Sequence, residues 1–199
     1  MIKKRAARRG ILVIGVTGHR FLAEVDKVTA GVDEALDRIR DVFPAQRWTI
    51  VSPLAEGADR LVVHQALARA EVRLVVPLPM PQSDYMADFQ SAASKEEFQC
   101  LLALADEVIT LPPAPRDEAY AAVGRYVLDH CDLLVAIWDG KGAQSQGGAG
   151  EIVAQARQRG LPMAWVHAGN RKPGTQEPTT LGEEQGKVTF ERFPDRVSA

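Results

Sequence analysis

Apolar residues fall in two alternating rhythms along the chain. Short apolar runs at 11–16, 47–52, 73–77, 107–111, 132–138 and 163–167 have the length and β-branched content of strands, and the run from Asp132 to Trp138 is the clearest of them. Runs that are apolar at every position are expected where both faces of a strand are covered, as in a parallel sheet. Between the runs lie segments with apolar residues three and four apart. Val25, Val28, Val32, Leu36, Ile39 and Phe43 predict a helix over 24–43, stopped by Pro44. Leu61, Val62, Ala66, Leu67 and Ala70 predict a second over 58–70. Residues 84–105 read as one helix or two, and further helices are expected over 117–131 and 149–159, the last closed by Gly160. The prolines at 77, 79 and 81 remove ladder donors, so 77–83 is expected to be a loop at the sheet's edge. Residues 169–186 are polar and rich in Gly, Pro and Thr, which predicts a flexible loop. In 187–193 Val188 and Phe190 share one side, as in a short edge strand.

Strands alternating with helices require crossover connections, and these are almost always right-handed. The expected fold is therefore an α/β, Rossmann-like open sheet, mostly parallel, with helices on both faces. Ligands of such sheets bind outside the carboxyl ends of the strands, where the strand order reverses. Three loops meet that condition: Thr17 to Leu22, Ser52 to Arg60 and Asp139 to Glu151. Their candidate ligand-binding residues are Thr17, Gly18, His19 and Arg20; Ser52, Glu56, Gly57, Asp59 and Arg60; and Asp139, Gly147, Gly148, Gly150 and Glu151. Glycines at a helix start leave backbone N–H groups open to a phosphate. Arg20 is a candidate for a bidentate contact to phosphate or carboxylate, its alternative being an exposed salt bridge. Asp139 stands where a ribose hydroxyl or a metal-bound water is often met. Asp59 could equally be a helix cap, and the glycines a plain strand-to-helix turn. His64, one turn into a helix on its apolar side, is expected to be a buried structural histidine. Tyr120 and Arg125 belong to a helix expected near the cleft.

Composition narrows the function. With 199 residues, 46% of them hydrophobic, the chain can bury one substantial core, so residues 10–199 are expected to form a single domain behind a basic tail at 1–9. The net charge of -2 argues against an extended basic groove, which makes nucleic acid an unfavoured partner. No apolar run approaches the ~20 residues of a membrane span. Cys100 and Cys131 form no framework for disulfides or zinc, so no metal is expected and a reducing cytoplasm fits best. In His130-Cys131-Asp132 the neighbours point about 100° apart if helical, which weighs against a nucleophilic Cys131.

Ser52-Pro53-Leu54-Ala55-Glu56-Gly57-Ala58-Asp59, followed by His64 and Ala66-Leu67, resembles the Ser-Gly-x-Ala-x-Gly-Ile-Asp turn of the Rossmann-like superfamily that joins the DNA-processing protein DprA to the LOG proteins, often called SLOG. Gly15-Val16-Thr17-Gly18-His19-Arg20 looks like that family's opening turn. Gly148-Ala149-Gly150-Glu151-Ile152-Val153-Ala154 is similar to its later glycine-rich turn and helix. The resemblance covers roughly residues 10–167, outside 77–118. It implies a nucleotide or nucleotide-derived ligand, of the NAD or ADP-ribose kind, at the carboxyl ends of the strands. LOG phosphoribohydrolases carry Pro-Gly-Gly-x-Gly-Thr-x-x-Glu; this chain has Gln146 for the proline, Glu151 for the threonine and Ala154 for the last glutamate. Glu56 and Glu151 are then the candidate catalytic carboxylates. Three readings stay open: nucleotide binding, N-glycosidic or phosphoribosyl hydrolysis, and DprA-like single-strand binding. The connection from Pro77 to Pro115 carries Met80, Tyr85, Met86, Phe89, Phe98, Leu101 and Leu102, more apolar surface than a crossover needs. It is expected to pair two copies of the chain as a homodimer, with a lid over the cleft as the alternative.

Overall fold

The computed structural model describes residues 10–69, 71–142 and 147–194. The basic tail 1–9, Ala70 and Gln146 lie outside the described residues. Seven strands form one open sheet: β1 (Ile11–Gly18), β2 (Arg47–Val51), β3 (Val72–Leu78), β4 (Glu107–Thr110), β5 (Leu133–Trp138), β6 (Met163–His167) and β7 (Val188–Glu191). Their order is β4-β3-β2-β1-β5-β6-β7, parallel throughout except for β7, which runs antiparallel to β6. Six helices connect them: α1 (Val25–Val42), α2 (Ala58–Arg69), α3 (Gln82–Met86), α4 (Ala92–Ala103), α5 (Arg116–His130) and α6 (Ala149–Arg159). This is the α/β Rossmann-like fold that the hydrophobic rhythm predicts.

Alternate side chains of each strand feed two cores. Leu12, Ile14, Val16, Leu133, Val135 and Ile137 pack with residues of α1, α2 and α4 on one face. Val13, Leu134, Ala136 and Trp138 pack with α5 and α6 on the other. All six residues of β5 are buried, as expected for a strand covered on both faces. The chain steps from β1 outward to β4, then crosses back to β5 on the other side of β1, so the order reverses between β1 and β5.

Several boundaries differ from the sequence reading. Thr17 and Gly18 belong to β1 rather than to a loop, because β5 extends the ladder beside them, Thr17 opposite Ala136 and Gly18 opposite Ile137. Pro77 lies inside β3. The Val75 carbonyl accepts from Ser52 N–H and the Leu78 carbonyl from Leu111 N–H, so Pro77, in step with Val75, turns its missing donor toward β2. That strand already ends at Val51, opposite Val75, and no ladder bond is lost. The segment 169–186 is tied down along its length. Gln185, 4% exposed, accepts from Gly169 N–H and Leu181 N–H and donates to Ala23 O at 2.8 Å, and a 3-10 turn forms at Gly182–Glu184.

The apolar residues of the long connection serve the chain's own core. Tyr85, Phe89, Phe98 and Leu101 are buried, with Met80, Met86 and Leu102 packed against them. Tyr85, Phe89, Phe98 and Leu101 are therefore not on offer to a second copy, while Met80, Met86 and Leu102 are only partly covered. No helix among the described residues is long and apolar enough to cross a membrane.

Candidate functional site

A cleft of about 450 Å³ opens where the strand order reverses, within the usual range for small-molecule sites. Its floor is the junction of β1 and β5. His19 N–H donates to Ile137 O at 2.9 Å, and His19 Nε2 accepts the Asp139 N–H at 3.1 Å. Burial lowers the His19 pKa against the opposing pull of Asp139, which keeps the imidazole neutral and its Nε2 an acceptor at neutral pH. Asp139 Oδ1 lies 3.3 Å from the same nitrogen and accepts Lys141 N–H at 3.1 Å. Asp139 Oδ2 is buried with no hydrogen-bond partner among the described residues; the nearest cation, Lys141 Nζ, is 3.9 Å away. A buried carboxylate oxygen without a donor costs about 1–3 kcal/mol or more.

Above this floor stands the first turn of α6, with Gly148, Ala149 and Gly150 on the cleft. Gly147, at φ 74, backs against α5, where a Cβ would come within 2.7 Å of Ala121 N. Glu151 Oε2 accepts Gly147 N–H at 2.7 Å, and its other oxygen accepts from Gln155 at 2.9 Å. The carboxylate thus fastens its own turn in the manner of a capping box, leaving the N–H groups ahead of it to face the cleft.

The Ser52–Arg60 turn does not face this cleft. Ser52 is fully buried and its Oγ accepts Leu54 N–H; Asp59 accepts from Ala55 N–H at 3.2 Å and from the Ser52 hydroxyl. Burial pushes the Asp59 carboxyl up to about 7. Arg60, 2% exposed, donates to Leu54 O, to Ser94 O and Oγ, and to Glu97 Oε2, with its guanidinium carbon 4.6 Å from the Phe89 ring centroid. Gly57, at φ 77, lies against the first loop: a Cβ there would sit 2.3 Å from Arg20 O. The turn therefore supports the cleft from behind.

Glu56 and Arg20 meet in a smaller hollow beside it. The Glu56 carboxylate accepts from Arg20, from Gln90 N–H at 3.0 Å and from Ser94 Oγ at 2.5 Å. Burial works to raise its pKa, but these three donors together hold it below the usual glutamate value. Arg20 Nη2 also donates to Asp88 O at 2.9 Å. Asp88 Oδ2 takes both Arg116 and the Tyr120 hydroxyl. Residues 88–90 are thus clamped from α5 and from both turns, forming a fixed wall. His64 is exposed, with Nε2 3.0 Å from Glu97 Oε1, contrary to the buried position expected. Cys131 is buried against Gly15, its thiol pushed up to about 12 by burial, and is inert as a nucleophile.

Of the residues named from sequence, Gly18, His19, Arg20, Asp139, Gly148 and Gly150 line the cleft together. Ser52, Glu56, Gly57, Asp59, Arg60, Gly147 and Glu151 build the surrounding frame. Missed from sequence were Asp88 and Gln90, and the loop after β6, where Asn170, Arg171, Pro173, Gly174 and Gln176 form the facing wall. The signal was available in position: this loop leaves a strand's carboxyl end beside Asp139. No cluster of three or more His, Cys, Asp or Glu able to hold a metal ion occurs among the described residues. No protein-family model and no curated protein matches the chain, so its fold and its cleft are what characterise it.

Proposed function

We propose that the protein binds a nucleotide or nucleotide derivative, of the NAD or ADP-ribose kind, in the cleft between β1 and β5, in the manner of the SLOG superfamily that its turns resemble. The observation that carries this reading is the unpartnered, buried Asp139 Oδ2 beside the open first turn of α6. One is a waiting acceptor for a sugar hydroxyl and the other a waiting donor set for phosphate. Binding is favoured over cleavage because both candidate carboxylates are engaged elsewhere, Glu56 by three donors and Glu151 by two.

Thermal shift with AMP, NAD and ADP-ribose tests the proposal. A ligand at a hundred times its Kd adds about 2.7 kcal/mol of stability. For a chain of this size that is a rise of roughly 5–10 °C. No shift with any of the three at millimolar concentration would sink it.

A further inference from the structure

The cleft holds two guanidinium groups in opposite circumstances. Arg20 is held in an ion pair, its Nη2 shared between Glu56 and Asp88 O, while its Nε is buried without an acceptor among the described residues. Arg171 makes no ion pair among the described residues, and its guanidinium carbon rests 5.3 Å from the centroid of the Phe21 ring. Its backbone is fixed: Arg171 pairs with Pro178 in an isolated bridge, and Asn170 O accepts from Thr179 N–H at 2.5 Å and Thr179 Oγ1 at 2.7 Å. The neighbouring Lys172 is occupied with Glu177 at 2.6 Å. The loop therefore presents one uncommitted cation across the cleft from α6.

The other charges around the cleft are already answered. Asp88 has Arg116 and Tyr120, and Glu56 has Arg20. What remains among the described residues is Arg171, the N-terminal turn of α6, Asp139 Oδ2 and the buried Nε of Arg20, whose guanidinium charge Glu56 already answers. We infer that the cleft takes a ligand with two linked anionic groups, a diphosphate ester, with one group on the α6 turn, the other on Arg171, and a hydroxyl of the same molecule donating to Asp139 Oδ2. A monophosphate can satisfy the turn or the arginine; a diphosphate reaches both, and guanidinium suits phosphate oxygens better than a point charge does. Arg171 is then the residue that sets ligand class. The inference rests on the reading of the cleft as a ligand site, while residues 170–176 lie outside the stretch that carries the family resemblance.

The test is calorimetry on the full chain with AMP, ADP and ADP-ribose, and with phosphate and pyrophosphate as bare anions, for the parent protein and for Arg171→Ala and Arg171→Gln. The parent is expected to prefer ADP over AMP by about tenfold or more, and both variants to bring that ratio near one, since one charge-assisted contact is worth about that much. Unchanged melting temperatures of the two variants show that the loop is intact. Should AMP and ADP bind alike, or the preference survive both substitutions, the assignment of Arg171 falls and nucleotide binding stands. Should no nucleotide bind while pyrophosphate binds the parent and not the variants, the nucleotide reading falls and the two-anion site stands. Silence from every probe overturns both.

Discussion

At the end of β2, Arg60 spends its Nε and Nη1 on four acceptors and lays its guanidinium against Phe89 and Phe98; at the end of β5, Asp139 keeps one buried oxygen with no hydrogen-bond donor among the described residues. Both turns carry glycine, carboxylate and a strand end, and both read from sequence as ligand loops. Arg60 Nη2 also lacks a hydrogen-bond acceptor, but the two ring faces stand in for one. The β2 turn even stores strain, with Leu54 fully buried at φ 57, and resolves it internally through Ser52 Oγ and Arg60 Nε. The lesson is that a polar turn is a candidate site when its buried polar atoms lack partners. Where they have them, the turn is framework.

Substitutions in the two turns should therefore separate stability from binding. The largest loss is expected for Arg60→Ala, which takes the donor from Leu54 O and Ser94 and empties the space over Phe89: about 3–5 kcal/mol in urea unfolding, from the cavity and the acceptors left unpaired, with little from the half-exposed Glu97. A cost under ~1 kcal/mol would mean that the turn is not framework. Gly57→Ala comes next, since it combines positive φ with a Cβ 2.3 Å from Arg20 O, at about 2–4 kcal/mol.

Titration sharpens the contrast, because Asp59 in the β2 turn and His19, which follows β1 and accepts from Asp139 N–H, act with opposite sign. Asp59 binds its proton more tightly folded, near 7 against 3.8, so its contribution is complete below pH 3.8 and is lost as pH rises through about 7. His19, lowered from 6.5 by burial, contributes fully above pH 6.5 and loses its part as pH falls through its folded value. Asp59→Asn should remove the first slope and gain about 3 kcal/mol relative to the parent between pH 5 and pH 8, from about two units at 1.36 kcal/mol per unit. Parallel stability curves for the two proteins across that range would show Asp59 to be ionised throughout. The smallest change in stability belongs to Asp139→Asn. Replacing a buried carboxylate one of whose oxygens lacks a hydrogen-bond donor should leave unfolding free energy within about 1 kcal/mol of the parent, or raise it, while weakening ADP-ribose about tenfold. If binding survives intact, Oδ2 has no role in recognition.

The fold was legible because strand and helix each need a continuous pattern, and runs such as 132–138 have no competing reading. Pro77 was not, since whether its missing N–H matters depends on where β2 stops, a property of another strand. His64 was placed on the wrong side of α2 because the buried stripe there includes Asp59 and Arg60, which no apolar pattern selects. The position of Asp139 and the α6 turn could be read from the strand-end rule. The same rule marks the loop after β6 but not Arg171 within it: a cation in a polar loop is ordinary until the structure shows which carboxylates are already taken.

The indole of Trp138 closes β5 at the cleft wall, its Nε1 donating to Lys141 O, and Trp165 donates in turn to Trp138 O with the ring centroids 5.2 Å apart and Arg157 over both. Trp48, the third, is buried in the core on the opposite face of the sheet. The two rings are placed to report by their fluorescence on the binding proposed for this cleft. With Trp48 replaced by Phe, emission comes only from these two rings, the one hydrogen-bonded to the backbone carbonyl of the other beside Asp139, and a ligand entering between β1 and β5 is expected to change its colour and lifetime.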